Sequence, residues 1–138
     1  MKKILIPLLT LLAVSFSFGQ ELAMHSSPDI DKVYTEVDES CKYPGGIVKL
    51  YEDIVEEINY PEEAAKKNIK GRVFIQFIVE KDGSLSNIQV AKSLGFGCDE
   101  EALRIFKEMP KWSPGRIDGQ PVRQKFISPI YFHPKLAK

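Results

Sequence analysis

The stretch RVFIQFIVEKDGSLSNIQVAK, residues 72–92, limits the fold more than any other part of this 138-residue chain. Its first half alternates, with Val73, Ile75, Phe77 and Val79 on one face and Phe74 and Ile78 among the polar residues of the other, which is the period of a strand. Asp82-Gly83 is the dipeptide of a tight reversal, and LSNIQVAK returns with Ile88 and Val90 pointing one way. A two-stranded hairpin with one apolar face is not stable alone. The rest of the chain must therefore supply a layer that covers Val73, Ile75, Phe77 and Val79.

Helical periods supply that layer. After the turn YPGG (residues 43–46), Ile47, Leu50, Tyr51, Ile54 and Ile58 recur at helical spacing, with Glu52, Asp53, Glu56 and Glu57 on the other side. Helical carboxylates without a histidine form a solvated face rather than a metal site. NYPEEAAKKNIKG starts a second helix at Pro61, where a missing N–H costs nothing. Glu62/Lys66 and Glu63/Lys67 stand at i,i+4, and the helix ends at Asn68 or Gly71. A third helix runs from Asp99 as N-cap to about Met109, burying Ala102, Leu103, Phe106 and Met109, until Pro110 stops it. SLGFGC before it is too short and too poorly placed to be a phosphate loop. In PVRQKFISPIYF, Phe126, Ser128, Ile130 and Phe132 alternate with Ile127 and Tyr131, and Pro129 cannot donate to a ladder, so this strand is an edge or carries a bulge. The expected architecture is a two-layer α+β domain, with helices packed on a small three-stranded antiparallel sheet. Trp112, between Pro110 and the turn dipeptides Pro114-Gly115 and Asp118-Gly119, is expected to cover the end of the core while the two reversals aim the last strand.

The ends and the charges add a setting. Residues 1–19 carry a basic MKK, fifteen apolar residues including Pro7, and small Ser17 and Gly19 before Gln20, the pattern of a secretory signal peptide. Fifteen helical residues span roughly 22 Å, short of a hydrocarbon core of about 30 Å. Residues 20–42 are expected to be a flexible leader, and residues 43–138 the domain. Export makes Cys41 and Cys98 an even pair in an oxidising compartment, so a disulfide between them is expected. Closing that loop is worth about 4 kcal/mol in the chain-entropy treatment. A reactive Cys98 at a helix N-terminus is the alternative, opposed by Asp99, Glu100 and Glu101. Residues 28–63 hold eleven acids and three bases, and residues 64–138 seven acids and fourteen bases. Minus eight against plus seven suits self-complementation, while scattered bases and a pI near 6.7 argue against nucleic acid. His25 and His133 alone assemble neither a triad nor a metal site, and two distant cysteines are not a thiol-redox pair. No enzyme, small-molecule substrate, cofactor or metal is expected.

Taken in order, Tyr60-Pro61 with Ala64, Ile69 and Gly71, then Asp82-Gly83, Glu101-Ala102, and Trp112, Pro114 and Gly115 make residues 43–132 resemble the periplasmic C-terminal domain of the TonB energy-transducer family. YPGG and GCDEEA resemble versions found in the Bacteroidetes group. The resemblance implies binding without chemistry: a short extended segment of an outer-membrane transport receptor is gripped by strand addition, in support of TonB-dependent transport. The expected partner-binding residues are Arg123, Gln124, Lys125, Phe126 and Ile127 of the last strand, with Tyr60 and Pro61 nearby. The apolar N-terminal segment has no histidine, and residues 20–42 reach at most about 80 Å when fully extended. The expectation is therefore a soluble periplasmic binding module, with an inner-membrane anchor as the alternative location. The alternative function is an assembly or adaptor protein that forms homodimers through its edge strand.

Overall fold

The computed structural model describes residues 27–29 and 31–137, so the expected signal peptide lies outside the described residues. No helix among those residues is long and apolar enough to cross a membrane. The elements run β1 (Val33–Tyr34), α1 (Gly46–Glu57), α2 (Glu62–Lys66), β2 (Gly71–Val79), β3 (Leu85–Lys92), α3 (Cys98–Lys107), β4 (Gly115–Ile117) and β5 (Gln120–Phe132), closed by a 3-10 turn at Pro134–Leu136.

The sheet has the order β1-β5-β2-β3, with β4 paired to β5 as a hairpin. β5 pairs with β2 antiparallel from Val79↔Gln124 to Gly71↔Phe132, while β1 joins the other side of β5 in parallel at Arg123 and Gln124. A five-stranded mixed sheet thus replaces the three antiparallel strands expected from the sequence. Strands of two and three residues are too short to print an alternation, which is why β1 and β4 escaped the pattern. β4 exists because Asp118 (φ 51°) and Gly119 (φ 77°) both adopt left-handed angles, the geometry of a type I′ hairpin turn.

Val73, Ile75, Phe77 and Val79 of β2 are all buried beneath the helices, with Ile130 and Phe132 of β5 beside them. In α1 only Leu50 and Ile54 are buried inside the helix, with Ile58 just beyond its end, whereas Ile47 and Tyr51 of the expected apolar face are exposed. α1 contacts the sheet through a stripe one residue wide per turn, narrower than its apolar face. α3 buries Cys98, Ala102, Ile105 and Phe106, so Ile105 holds the place assigned to Leu103. Its N-cap is Gly97 at φ 84°, not Asp99. The Asp99 carboxylate reaches back, accepting from the Leu94 and Gly95 amides at 2.9 and 3.1 Å and from the Ser93 hydroxyl.

Trp112 is buried at the end of the core as expected, edge-on to Tyr43 and Phe77 at 5.6 and 5.2 Å and tilted on Phe126 at 5.9 Å. The Trp112 amide donates to the Gly83 carbonyl at 2.8 Å. A Cβ on Gly83 would meet the Trp112 carbonyl oxygen at 2.0 Å, so the hairpin turn and the loop before β4 fit only without a side chain there.

Both cysteines are free and buried, which corrects the expected disulfide. Cys41 lies against Gln124, at the Val79 end of β2, and Cys98 follows the Leu94 loop that packs on Gly71, at the other end. Nine strand residues span roughly 26 Å at about 3.3 Å each, far beyond the Cα separation a disulfide tolerates. Burial pushes the Cys41 thiol up to about 11, and burial with Asp99 and Glu100 does the same to Cys98. Neither is an activated nucleophile.

Candidate functional site

The site is built from backbone. β5 pairs with β2 through nine unbroken steps, and this register passes straight through Pro129, which faces Phe74. A residue without an N–H keeps such a ladder whole only when its nitrogen points away from the neighbour. Backbone groups alternate sides along a strand, so Arg123, Lys125 and Ile127 also turn their amides outward, away from β2. On that outer side β1 meets only Arg123 and Gln124. Because Gln124 turns its own amide to β2, the pair with Tyr34 falls to the Arg123 carbonyl and the Lys125 amide, and from there to Pro129 no strand of the described residues lies alongside.

Side chains frame this open length at both ends. At the start, Arg123 is clamped to Glu80 by Nε at 2.7 Å and Nη2 at 3.0 Å, and its Nη1 donates to the Asp31 carbonyl at 2.9 Å. At the far end, Tyr51 of α1 lines one hollow with Arg72, Pro129 and Tyr131. A groove of about 340 Å³ continues between α1 and the end of β5, lined by Tyr51, Val55, Tyr131 and Leu136 among others. Val55 and Tyr131 are 52% and 53% exposed, and Ile127, facing away from the helices, is 48% exposed. Together they form an apolar border to unpaired backbone.

The five candidate residues of β5 therefore divide. Ile127 is open in backbone and side chain, while Lys125 is half-buried and turns its amide to β1. Arg123 is already engaged by Glu80 and the leader. Phe126 turns inward onto Phe77 and Trp112. Gln124 is buried and structural: its Oε1 accepts from the Cys41 amide at 2.7 Å, and its Nε2 donates to Ser40 Oγ at 3.1 Å.

Tyr60 and Pro61 are not brought to this edge. Tyr60 is buried, its hydroxyl donating to the Ile69 carbonyl with the Ala64 carbonyl 3.3 Å away. Burial, with Cys98 nearby, raises its pKa. Pro61 caps α2 and lies 3.0 Å from where a Gly97 side chain would begin. Both brace the Gly71 end of the sheet, where β2 meets Phe132 rather than Arg123. The apolar border at Tyr51, Val55 and Tyr131 was missed in the sequence. Its signal was an apolar face on α1 wider than one buried stripe needs. The described residues hold no cluster of three metal-ligating side chains.

The family model described as Gram-negative bacterial TonB protein C-terminal matches residues 56–134, more than half of the chain. Among solved structures, the NMR solution structure of Helicobacter pylori TonB-CTD (residues 194-285) is similar at 27% identity, covering 64% of this chain and 92% of that one with a TM-score of 0.48. No curated protein matches the chain.

Proposed function

Since the chain belongs to the Gram-negative bacterial TonB protein C-terminal family, we propose that it is a non-enzymatic binding module that takes a segment of an outer-membrane transport receptor as an added strand on the outer edge of β5. The observation that carries this is the backbone from the Lys125 carbonyl to Pro129, unbroken in register with β2 and unpaired on its outer side, bounded by an apolar groove. Main-chain hydrogen bonds to the Lys125 carbonyl and to Ile127 supply affinity, and the groove at Tyr51, Val55 and Tyr131 receives apolar side chains of the added segment and supplies selectivity. The module works in the periplasm, delivered by a cleaved signal peptide at residues 1–19, with 20–42 as leader and 43–138 as the binding domain. YPGG and GCDEEA support placing it with the versions of this domain found in Bacteroidetes.

The test is capture of receptors from an outer-membrane extract by the full chain and by Ile127→Pro. Because the Ile127 amide faces outward, as the Pro129 nitrogen does, the variant should fold and lose the receptors. Equal capture by both chains, or none by the parent, rejects the reading. Recovery of only further copies of the chain assigns the edge to a homodimer.

A further inference from the structure

We propose that β1 is a hinged cover for the docking edge: the chain's own leader lies on β5 as an added strand, and an incoming strand must displace it to use the edge from Arg123 onward. The competition with a partner rests on the docking role given above to β5, while the detachment of β1 does not.

Four observations carry it. β1 occupies the same side of β5 that is open further along, and does so with only two residue pairs. Val33 and Tyr34 are half-buried and outside the core, so no packed side chain locks the strand down. The Tyr34 hydroxyl accepts from the Asp29 amide at 2.9 Å, and the Lys32 ammonium stands 5.0 Å from the Tyr34 ring. These contacts lie within the leader and survive its release.

The residues that follow are held differently. Asp38 accepts from the Asp118 amide at 2.8 Å, Glu39 and Lys42 make bridges to Arg116 and Ser113, and Cys41 is buried on Gln124. Residues 35–37 between the two parts pair with no strand. A cover anchored from Asp38 and free before it stays at high local concentration when it opens. Arg123 keeps its Glu80 clamp whether or not Asp31 is present, so the edge retains its shape as the cover leaves. Edge strands need such protection against unwanted pairing.

The experiment compares the full chain with Val33→Pro/Tyr34→Pro, which removes the β1 donor whichever residue supplies it. Three readouts are taken: amide hydrogen exchange, binding of a synthetic peptide with the sequence of residues 27–36, and receptor capture. We expect the Arg123 and Lys125 amides to exchange at least tenfold faster in the variant, while those of Phe126 and Ser128, which face β2, are unchanged. The peptide should bind the variant and not the parent, and the variant should retain more receptor. Equal exchange, or a peptide that binds both chains or neither, overturns the cover. Equal receptor capture despite faster exchange overturns the competition. If exchange and peptide behave as expected but neither chain retains receptor, the cover stands and the docking role of β5 falls.

Discussion

Among the described residues, β3 and β5 each leave one side without a strand neighbour over most of their length, yet the ladders behind them differ. The ladder from β2 to β3 shifts register twice, between Phe74 and Ile75 and between Gln76 and Ile78, and Asn87 of β3 sits in the left-handed region at φ 49°. The ladder from β2 to β5 runs from Gly71 to Val79 without a slip. Bulges bend a strand and aim its free groups in different directions, which is how natural sheets blunt an edge. A straight edge instead presents its donors and acceptors at regular intervals. On the proposed reading, an unpaired side alone does not make a docking site: regular register is also needed, and β5 has it where β3 does not.

The largest effect should come from the joint that both edges share. Gly83 ends the turn into β3 and, through its carbonyl, holds the Trp112 loop that leads into β4 and β5. Gly83→Val places a side chain 2.0 Å from the Trp112 oxygen at a φ of 88° that a β-branched residue resists. We expect a loss of roughly 3–5 kcal/mol, from backbone strain and overpacking together. Chemical denaturation measures it. A loss below about 1 kcal/mol, inside the range of an ordinary surface substitution, would show that the two edges are built independently.

Proline substitutions test the direction of the amides. Phe126→Pro removes a donor aimed at β2 and a ring packed on Phe77 and Trp112, and should cost about 3 kcal/mol or more. Ile127→Pro, one residue on, removes an outward donor and should cost about 1 kcal/mol, chiefly from the restricted φ. Val90→Pro in β3 removes an outward donor, since Val90 opposes Ile75, whose backbone groups face β5, and it should leave receptor capture intact. If it abolishes capture while Ile127→Pro does not, the docking edge has been assigned to the wrong side of the sheet.

The amino-acid sequence carries much of this contrast, and what it hides has physical causes. The alternation in residues 72–92 and Asp82-Gly83 reveal the hairpin because a long half-buried strand must repeat with period two. Pro129 marks β5 as an edge because a nitrogen without hydrogen must face away from a ladder. The same alternation could not separate Gln124 from Lys125 as contacts, since one-sided burial of a glutamine is set by the Ser40 hydroxyl and the Cys41 amide, 84 and 83 residues away. Nor could it reveal β1, which is held by its partner rather than by any pattern of its own. Tyr60-Pro61 is legible as a helix start, and its distance from Arg123 depends on which end of β2 each element reaches.

At the bulge itself the expected change is smaller. Asn87 tolerates the left-handed region through its short polar side chain, whereas Asn87→Val does not, and the substitution should cost about 1–2 kcal/mol. Thermal unfolding reads the loss. A stabilised variant with new self-association would mean that β3 can straighten, and that Asn87 had been keeping it from docking.

The smallest effect lies where the two edges are tied. Glu80 Oε1 accepts from the Ser86 hydroxyl of β3 at 2.6 Å and from Arg123 Nη2 of β5 at 3.0 Å. The hydrogen bond from Arg123 is the main reason its carboxyl is held below the ordinary 4.5, with Ser86 contributing and burial opposing. A carboxyl whose folded pKa is depressed stabilises the protein fully above its unfolded pKa, and that contribution fades as the pH falls through the folded value. Glu80→Gln should therefore cost about 1 kcal/mol at neutral pH, the scale of a partly exposed ion pair. It should also flatten the loss of stability below about pH 4.5. Parent and variant curves that stay parallel down to pH 3 would show that Arg123 gains nothing from Glu80. The edge would then owe its straightness to the β2 ladder alone.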